Sequence, residues 1–237
     1  MADNPGKAVL LTRPKAQAQA YADELRRELP PDVAILVSPL MRIQTLPVEI
    51  DLGNAKALAF TSANGVRSFA NATKDRSLTA YCVGNATAEV AKEQGLKVVS
   101  ADGDASDLIR LLASVQGPIL HPRGTQAAVD LAQELRQSGH QASDVVLYSQ
   151  QPQALSQPAK RLLASQIPVA VPLFSPRTAE NFVQQISTEQ LSDVTLICIS
   201  DTVARQMDAV KVNVRIAVRP DAKSITREIA AWLKATA

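Results

Sequence analysis

Short apolar runs alternate with amphipathic stretches along the whole chain. The first run, Lys7–Leu11, is followed by a stretch at 16–28 whose apolar residues recur with the period of a helix. Runs of four to six apolar residues are typical of buried strands, and the longer periodic stretches are typical of helices packed on a sheet. The alternation predicts an α/β fold with parallel sheets, helices on both faces and right-handed connections.

The pattern predicts ten strands and nine helices. Strands are expected at 7–11, 33–37, 58–60, 79–83, 97–99, 118–120, 144–147, 169–174, 194–199 and 214–218. Helices are expected at 16–28, 63–70, 86–94, 108–114, 125–138, 159–164, 177–186, 202–210 and 225–235. Ser106 and Ser224 precede two of these helices and are predicted to be their N-caps, because a serine hydroxyl accepts a hydrogen bond from a free N–H of the first turn.

The chain also contains an internal repeat of strand ends that turn into helices. Residues 59–69 are similar to 173–182, residues 81–88 to 197–204, and residues 9–14 to 118–123. The first two pairs place small hydroxyl residues at predicted helix starts, and the third places an arginine there. A helix start offers free backbone N–H groups and the positive end of the helix dipole. The repeat therefore predicts several anion-binding positions.

Two stretches without helical or buried-strand patterns interrupt the repeat. Residues 39–54 alternate polar with apolar side chains, and residues 149–157 are rich in Gln and Ser. Both fit crossings between domains, and a length of 237 residues suits two domains. A simple tandem split near residue 117 would need one crossing. Two crossings favour a discontinuous domain, 1–40 plus 152–237, and a second domain at 53–147.

Composition excludes several function classes. The chain has 25 Lys and Arg against 23 Asp and Glu, without the basic stripe or aromatic platforms of a nucleic-acid-binding protein. No apolar stretch is long enough to span a membrane, and the polar N-terminus lacks a signal-peptide pattern, so a cytoplasmic location is expected. Cys82 and Cys198 lie in apolar strands and are expected to be buried thiols, and His121 and His140 have no metal-ligand spacing.

The motifs together resemble the uroporphyrinogen-III synthase family. The similar segments are Val9-Leu10-Leu11-Thr12-Arg13-Pro14, Phe60-Thr61-Ser62-Ala63-Asn64-Gly65-Val66, Val83-Gly84-Asn85-Ala86-Thr87-Ala88, Val145-Val146-Leu147-Tyr148 and Phe174-Ser175-Pro176. The resemblance implies two similar flavodoxin-like α/β domains joined by a two-stranded β linker, here 41–52 and 148–151. It also implies a hydro-lyase that cyclises the linear tetrapyrrole hydroxymethylbilane, inverts ring D and releases water, without cofactor or metal. A small-molecule substrate and a monomer are expected.

Hydroxymethylbilane carries eight carboxylates, and the resemblance implies that helix starts from both domains line its cleft. The candidate substrate-binding residues are Arg13, Ser62, Ala63, Gly84, Asn85, Ala86, Thr87, Arg123, Ser175, Arg177 and Thr202. Each hydroxyl has an alternative role as a helix N-cap, and loop arginines are commonly solvated. Gly84 allows close backbone approach or eases a turn. Asp201 either caps its own helix or weakens binding of an anionic substrate.

Tyr148 is the candidate catalytic residue. Its counterpart in the first half of the repeat is Val37 or Ser38, so the repeat does not require an aromatic ring there. The resemblance implies that the Tyr148 phenol assists departure of the terminal hydroxyl as a proton or hydrogen-bond donor. The alternative is a tyrosine half buried at a strand end with its hydroxyl in water. The competing function is a non-catalytic two-domain binding protein for an anionic ligand.

Overall fold

The chain passes between two structural units twice. Unit 1 comprises residues 1–42 and 151–237, and unit 2 comprises residues 43–150. The computed structural model describes residues 6–126, 129–187, 191–207 and 210–236. Each unit contains one sheet and the helices that cover it.

Strands and helices alternate through most of the chain. The strands are β1 (Lys7–Leu11), β2 (Val33–Val37), β3 (Met41–Thr45), β4 (Ala57–Phe60), β5 (Thr79–Cys82), β6 (Lys97–Ser100), β7 (Ile119–Gly124), β8 (Ala142–Pro152), β9 (Val169–Leu173), β10 (Val194–Cys198) and β11 (Asn213–Ile216). The helices are α1 (Lys15–Glu28), α2 (Ala63–Ala72), α3 (Asn85–Glu93), α4 (Ala105–Leu112), α5 (Leu131–Gln137), α6 (Gln157–Ala164), α7 (Pro176–Val183), α8 (Asp201–Ala204) and α9 (Ala222–Ala235).

The two sheets have the same spatial layout. Unit 1 has the strand order β11-β10-β9-β1-β2, and unit 2 has β6-β5-β4-β7-β8 with β3 added at the edge beside β8. The repeats seen in the sequence relate β1 to β7, β9 to β4 and β10 to β5, and these strands occupy equivalent places. Along the chain, unit 1 forms β1 and β2 before β9, β10 and β11, whereas unit 2 forms β4, β5 and β6 before β7 and β8. The five shared strands of each unit are therefore a circular permutation of those of the other.

The core of each unit lies on both faces of its sheet. In β1, Ala8 and Leu10 face one apolar cluster, whereas Val9 and Leu11 face the other. In β4, Leu58 and Phe60 face one side, and Ala57 and Ala59 face the other. Because both faces are covered, the strands are continuous apolar runs rather than alternating ones, as parallel sheets require.

Several element boundaries differ from those predicted. The helix expected at 125–138 is observed as Leu131–Gln137, with Asp130 as its N-cap because Asp130 accepts a hydrogen bond from the Gln133 N–H. Residues 127–128 of the predicted helix lie outside the described residues. Strand β7 instead continues to Gly124, so Arg123 lies in a strand and not at a helix start. The prediction that the third pair of the repeat places an arginine at a helix start is therefore wrong for Arg123.

The two predicted serine caps are also wrong. Asp104 caps α4 and forms a reciprocal capping box with Asp107, and Asp221 caps α9 by accepting a hydrogen bond from the Ser224 N–H. A carboxylate is as good an N-cap as a hydroxyl, and it lies two or three residues earlier in each case. Helix α7 ends at Val183 rather than 186. Helix α8 ends at Ala204 and continues as a 3₁₀ turn to Met207; residues 208–209 of the predicted helix lie outside the described residues.

Both cysteines are buried at the ends of equivalent strands, β5 and β10, and neither is in a disulfide. Burial raises the pKa of each thiol to about 11, so both remain protonated and behave as small apolar groups. Within the described residues, no helix combines the length and the apolar character that a bilayer crossing requires.

Candidate functional site

The site of unit 2 lies where its strand order reverses. From β4 the chain proceeds outward through β5 and β6, and from β7 it proceeds in the opposite direction to β8. Loops that leave the carboxyl ends of β4 and β7 therefore diverge and leave a crevice, which is the usual ligand position in open parallel sheets. Thr61 and Ser62 follow β4, and Arg123 and Gly124 end β7, so all four residues flank this point.

A cavity of about 310 Å³ occupies this crevice. Its walls come from the carboxyl ends of β4, β5 and β7, from the loop after β7, from the second half of β8 and from the start of α4, and all of them belong to unit 2. The lining residues are Thr61, Ser62, Val83, Ala105, Arg123, Gly124, Gln126, Val129, Tyr148 and Gln150. Three predicted site residues, Ser62, Arg123 and Tyr148, are therefore brought together in one cavity.

Tyr148 contributes the phenol of the cavity from strand β8. Its ring is buried and packs closely against Gly124, since a Cβ added at that glycine would lie 2.7 Å from Tyr148 Cε2. Burial raises the pKa of the phenol, and hydrogen bonding with Ser62 and Gln150 opposes this rise without cancelling it. The phenol is therefore protonated at neutral pH and available as a donor, and the half-buried alternative is wrong.

A polar chain runs beneath the cavity across three adjacent strands. Thr61 Oγ1 lies 3.3 Å from His121 Nε2, and His121 Nδ1 lies 3.0 Å from Asp144 Oδ1. His121 is fully buried, whereas Thr61 lines the cavity. Burial lowers the pKa of His121 below its ordinary value, and the Asp144 carboxylate opposes that shift only in part. The imidazole is therefore neutral at neutral pH.

Arg123 supplies positive charge at the cavity wall. Its Nε lies 3.1 Å from Asp144 Oδ2, an ion pair whose N–H is not aligned for a hydrogen bond, and its Nη1 donates to the Gly124 carbonyl at 3.1 Å. The side chain is 23% exposed, so the guanidinium is held by the protein but still reaches the cavity. The Asp144 carboxylate offsets most of the positive charge of Arg123. Arg123 can therefore orient a substrate carboxylate by hydrogen bonding, but the pair attracts that carboxylate only weakly by charge.

Ser62 lines the cavity, but five other predicted residues of unit 2 do not: Ala63, Gly84, Asn85, Ala86 and Thr87. Ser62 caps α2 by accepting from the Asn64 N–H at 3.1 Å, so it has the capping role together with its position in the cavity wall. Ala63 opens the same helix. Thr87 is buried in the first turn of α3, and Asn85 and Ala86 are exposed there. The Asn85 amide donates to the Asp102 carboxylate.

Gly84 does not ease a tight turn, which is one of the two roles considered for it. Its backbone is extended, with φ −154° and ψ 171°, so no tight turn requires glycine. A Cβ added there would lie 3.8 Å from its nearest neighbour, the Gly103 carbonyl, which is ordinary contact. Gly84 is the N-cap residue of α3, and close approach of a substrate to its backbone stays a prediction.

The predicted residues of unit 1 surround the equivalent strand ends. The Arg13 guanidinium lies 4.1 Å from the centre of the Phe174 ring, a cation–π contact. Ser175 caps α7 by accepting from the Thr178 N–H at 3.3 Å, and Arg177 is half-buried in the same turn. Thr202 is exposed in α8. Ser200 is the N-cap residue of α8, and Asp201 follows it as an exposed first-turn carboxylate, where the helix dipole favours negative charge.

Seven of the ten lining residues, and the His121 and Asp144 side chains beneath the cavity, are absent from the sequence prediction. Register explains why. His121 lies directly opposite Asp144 in the parallel pairing of β7 with β8, and Tyr148 lies opposite Gly124 after a bulge. In unit 1, Leu11 lies opposite Val37, so Val37 corresponds to Asp144 and not to Tyr148. The one visible signal was a histidine inside an otherwise apolar strand.

The described residues contain no cluster of three or more His, Cys, Asp or Glu side chains that could hold a metal ion. The site therefore offers proton donors, hydrogen-bond acceptors and one guanidinium. Such groups can position a polar substrate and assist departure of a hydroxyl.

Comparisons with known proteins agree with this architecture. A family model described as "Uroporphyrinogen-III synthase HemD" matches residues 31–227. A uroporphyrinogen-III synthase of Chlorobaculum parvum is 26% identical, over 96% of this chain and 100% of that protein. The fold is similar to that of uroporphyrinogen-III synthetase from Helicobacter pylori, with a TM-score of 0.69, 19% identity, and 96% and 99% of the two chains covered.

A mutant uroporphyrinogen III synthase from Thermus thermophilus also has a similar fold, with a TM-score of 0.57, 16% identity, and 96% and 98% of the two chains covered. At these low identities the two solved structures establish the fold alone. The family assignment rests on the family model that matches the sequence. The family model covers most of this chain, including all the residues that line the cavity of unit 2. The chain therefore belongs to the uroporphyrinogen-III synthase family.

Proposed function

We propose that the cavity of unit 2 is where this enzyme acts on the terminal hydroxymethyl group of its substrate. As a uroporphyrinogen-III synthase, the chain cyclises hydroxymethylbilane to uroporphyrinogen III, with inversion of ring D and loss of water. The observation that carries the proposal is the meeting of a buried phenol, two hydroxyls and a guanidinium at the strand-order reversal. A volume of about 310 Å³ is at the lower end for ligand pockets, which suits one substituted pyrrole rather than four.

Tyr148 assists departure of the hydroxyl in this proposal. Its raised pKa keeps the phenolic proton in place, so the group donates a hydrogen bond or a proton to the leaving oxygen. The bond from carbon to that oxygen breaks, water leaves, and the electrophilic carbon is attacked by the substituted position of ring D to give a spiro intermediate. The bond from that substituted position to its original bridge carbon then breaks, and the freed bridge carbon bonds to the unsubstituted α-position of ring D. The proton lost from that α-position as ring D regains aromaticity restores the phenol, so no net proton is consumed.

Recognition of the substrate carboxylates is proposed for the remaining predicted residues. Arg123 and the start of α2, at Ser62 and Ala63, supply hydrogen-bond donors beside the cavity. The start of α3 supplies Gly84, Asn85, Ala86 and Thr87, and unit 1 supplies Arg13, Ser175, Arg177 and Thr202 from its own strand ends. Thr87 is the least favoured of these, because its side chain is buried in the first turn of α3.

Segments 41–52 and 148–151 are proposed as the linker between the units. Support comes from hydrogen bonds on either side of the crossings: the Gln153 N–H donates to the Leu40 carbonyl at 2.8 Å, and the Leu46 N–H donates to the Leu147 carbonyl at 2.8 Å. These contacts run in opposite directions along the two segments, as an antiparallel pair requires. A monomer and a cytoplasmic location are retained as further parts of the proposal.

The product isomer provides the test. Spontaneous closure of hydroxymethylbilane gives the uninverted type I ring, so type III product reports enzyme activity. We expect Tyr148→Phe to keep its fold and to form type III product about 10²–10⁴-fold more slowly, the usual contribution of general acid catalysis. Wild-type rates in the Phe variant would exclude the acid role. A binding protein without activity, the competing function, would yield type I product with the unmodified chain.

A further inference from the structure

A hydrogen-bonded chain of three side chains, Thr61, His121 and Asp144, connects the cavity with the interior of unit 2. We propose that this chain fixes the Thr61 hydroxyl as a hydrogen-bond acceptor for a pyrrole N–H of the substrate. The inference rests on the proposed function, because it places a pyrrole ring in the cavity that Thr61 lines. Thr61 is the catalytic residue in this arrangement, and His121 and Asp144 are positioning residues.

The direction of each hydrogen bond follows from the chemistry of its partners. A carboxylate oxygen only accepts, so the His121 Nδ1 atom that lies 3.0 Å from Asp144 must carry a proton. In a neutral imidazole the other nitrogen, Nε2, then has a free lone pair. The Thr61 hydroxyl, 3.3 Å away, can only donate to it. Its proton is thereby directed to His121, and its oxygen lone pairs remain for the cavity.

Asp144 is itself held in place by a second partner. While Oδ1 accepts from His121, Oδ2 lies 3.1 Å from Arg123 Nε. Both carboxylate oxygens are therefore committed, and the ring of His121 cannot turn without breaking its bond to Asp144. An outer carboxylate that fixes the tautomer and orientation of a histidine is a common way to set the role of the group beyond it.

Unit 1 provides an internal comparison for the hydrogen-bonded side chains Thr61, His121 and Asp144. Unit 1 has the same strand layout, and its N-cap Ser175 corresponds to Ser62, so that Ala170 corresponds to Ala57. The registers Val9↔Ala170 and Ala57↔Ile119 then align Val9 with Ile119, one residue away from the alignment of 9–14 with 118–123 seen in the sequence. In this alignment the equivalents are Leu11 for His121, Val37 for Asp144 and Phe174 for Thr61. All three positions are apolar in unit 1, which forms an equally well covered sheet. The fold therefore does not need the polar chain, and a role in the cavity explains it better.

The chemistry of the reaction calls for an acceptor at this place. When the hydroxyl leaves, the remaining electron deficiency is shared with the pyrrole nitrogen, whose N–H becomes a stronger donor. A fixed acceptor stabilises that state more than the ground state, which is the condition for raising the rate. Tyr148 donates to the leaving oxygen and Thr61 accepts from the ring, so the two groups act on opposite ends of one polarised bond system.

Protonation of His121 would reverse the direction of its hydrogen bond with Thr61. An imidazolium donates from both nitrogens, so Nε2 would donate to Thr61 Oγ1 and turn the hydroxyl proton toward the cavity. Burial and Arg123 on β7 disfavour that state, whereas Asp144 on β8 and Asp130 at the start of α5 favour it. Because burial dominates, activity should fall only below the ordinary pKa of histidine.

The tautomer can be read directly and independently of activity. The chain has two histidines, so ¹⁵N-histidine labelling gives two imidazoles, and a His140→Asn variant assigns them. The expected result is a neutral His121 protonated at Nδ1, with the opposite tautomer in Asp144→Asn, whose amide can donate to Nδ1. A wild-type His121 protonated at Nε2 would overturn the inference without any kinetic measurement.

Kinetics with two Thr61 variants completes the test. Thr61→Val keeps the shape and removes the acceptor, and we expect kcat for type III product to fall about 10–100-fold with a smaller change in KM. In the pH profile of the remaining activity, the fall at acid pH that is caused by protonation of His121 should also be absent. Thr61→Ser restores the hydroxyl and should restore both rate and pH profile.

Each remaining outcome is decisive. Equal losses in Thr61→Val and Thr61→Ser would show that packing, not the hydroxyl, is required and would refute the inference. Normal activity of Thr61→Val beside an impaired Tyr148→Phe would refute this inference and leave the proposed function standing. Normal activity of both variants would refute the proposed function as well, because the cavity would then not be the site.

Discussion

Gly124 should control the position of the catalytic phenol, and Gly124→Ala tests this. A methyl group at this glycine would lie 2.7 Å from Tyr148 Cε2 and 2.8 Å from Cζ. Gly124 is not among the described residues with positive φ, so alanine brings no backbone strain. The consequence of the substitution is therefore confined to a steric clash with one ring.

The size of the effect follows from the geometry. Carbon atoms pack no closer than about 3.4–3.5 Å, so the Tyr148 ring must move by about 0.7 Å. Misplacement of a reacting group by about 1 Å costs on the order of 10²-fold in rate, and we expect a loss of about 10–100-fold. Overpacking typically costs about 1–3 kcal/mol of stability, which is a drop of only a few degrees in Tm for a chain of this length.

The assay is the initial rate of type III product, measured with Tm for wild type, Gly124→Ala, Tyr148→Phe and the double variant. Because the substitution acts through the phenol, it should cost much less activity when the hydroxyl is already absent. A full additional loss in the Tyr148→Phe background would mean that Gly124 shapes the cavity itself. Wild-type rates in Gly124→Ala would refute the geometry argued for Tyr148.

Three further outcomes follow from the structure. Stability should fall as pH drops below about 6.5, because the folded-state pKa of His121 lies below its unfolded value; denaturant titrations should show less of this acid loss in His121→Leu. Cys82 and Cys198, with pKa values of about 11, should react with a thiolate-directed reagent only as fast as the protein unfolds. Gly65→Ala should destabilise by about 1–3 kcal/mol in chemical unfolding although alanine favours helices, because the new Cβ would lie 2.7 Å from the rigid Pro122 carbonyl.

The arrangement of the fold could be predicted because its signals are local. An apolar run bounded by turn residues indicates a strand wherever it lies, and the strand–helix alternation then indicates a parallel sheet. The repeat also indicated which strands are equivalent. The N-caps at Asp104 and Asp221 were missed because serine and aspartate compete for the same role, and only the hydrogen bonds show which residue has it.

The candidate site could be predicted only in part, for a different physical reason. Ser62 could be found because the repeat places a hydroxyl at its helix start, and Tyr148 could be found because it belongs to a segment, residues 145–148, that resembles the family. His121 and Asp144 are 23 residues apart, and only strand register brings them together. A one-residue shift would turn either side chain to the other face of the sheet, so their pairing is not visible in the linear pattern.

The two-unit architecture also supplies a test of whether the polar chain is functional or structural. His121→Leu with Asp144→Val installs the residues that unit 1 has at the equivalent positions. Replacing both partners of a buried hydrogen bond by apolar groups is nearly neutral, and the Arg123 side chain, which loses its carboxylate partner, is 23% exposed and can be solvated by water instead. The free energy of unfolding of this double variant should therefore lie within about 1 kcal/mol of the wild-type value. His121→Leu alone, the matched control, leaves part of the Asp144 carboxylate unpaired and should cost more, about 1–3 kcal/mol.

The two measurements on this double variant should therefore diverge. Its stability in denaturant titration should be close to that of wild type, while its type III rate should fall about 10–100-fold, as for Thr61→Val, because the Thr61 hydroxyl is free to rotate. Stability and activity lost together would mean that unit 2 needs the polar chain to fold and that the likeness to unit 1 is misleading. If the double variant retains both its stability and its rate of type III product, the orientation of Thr61 has no part in the reaction.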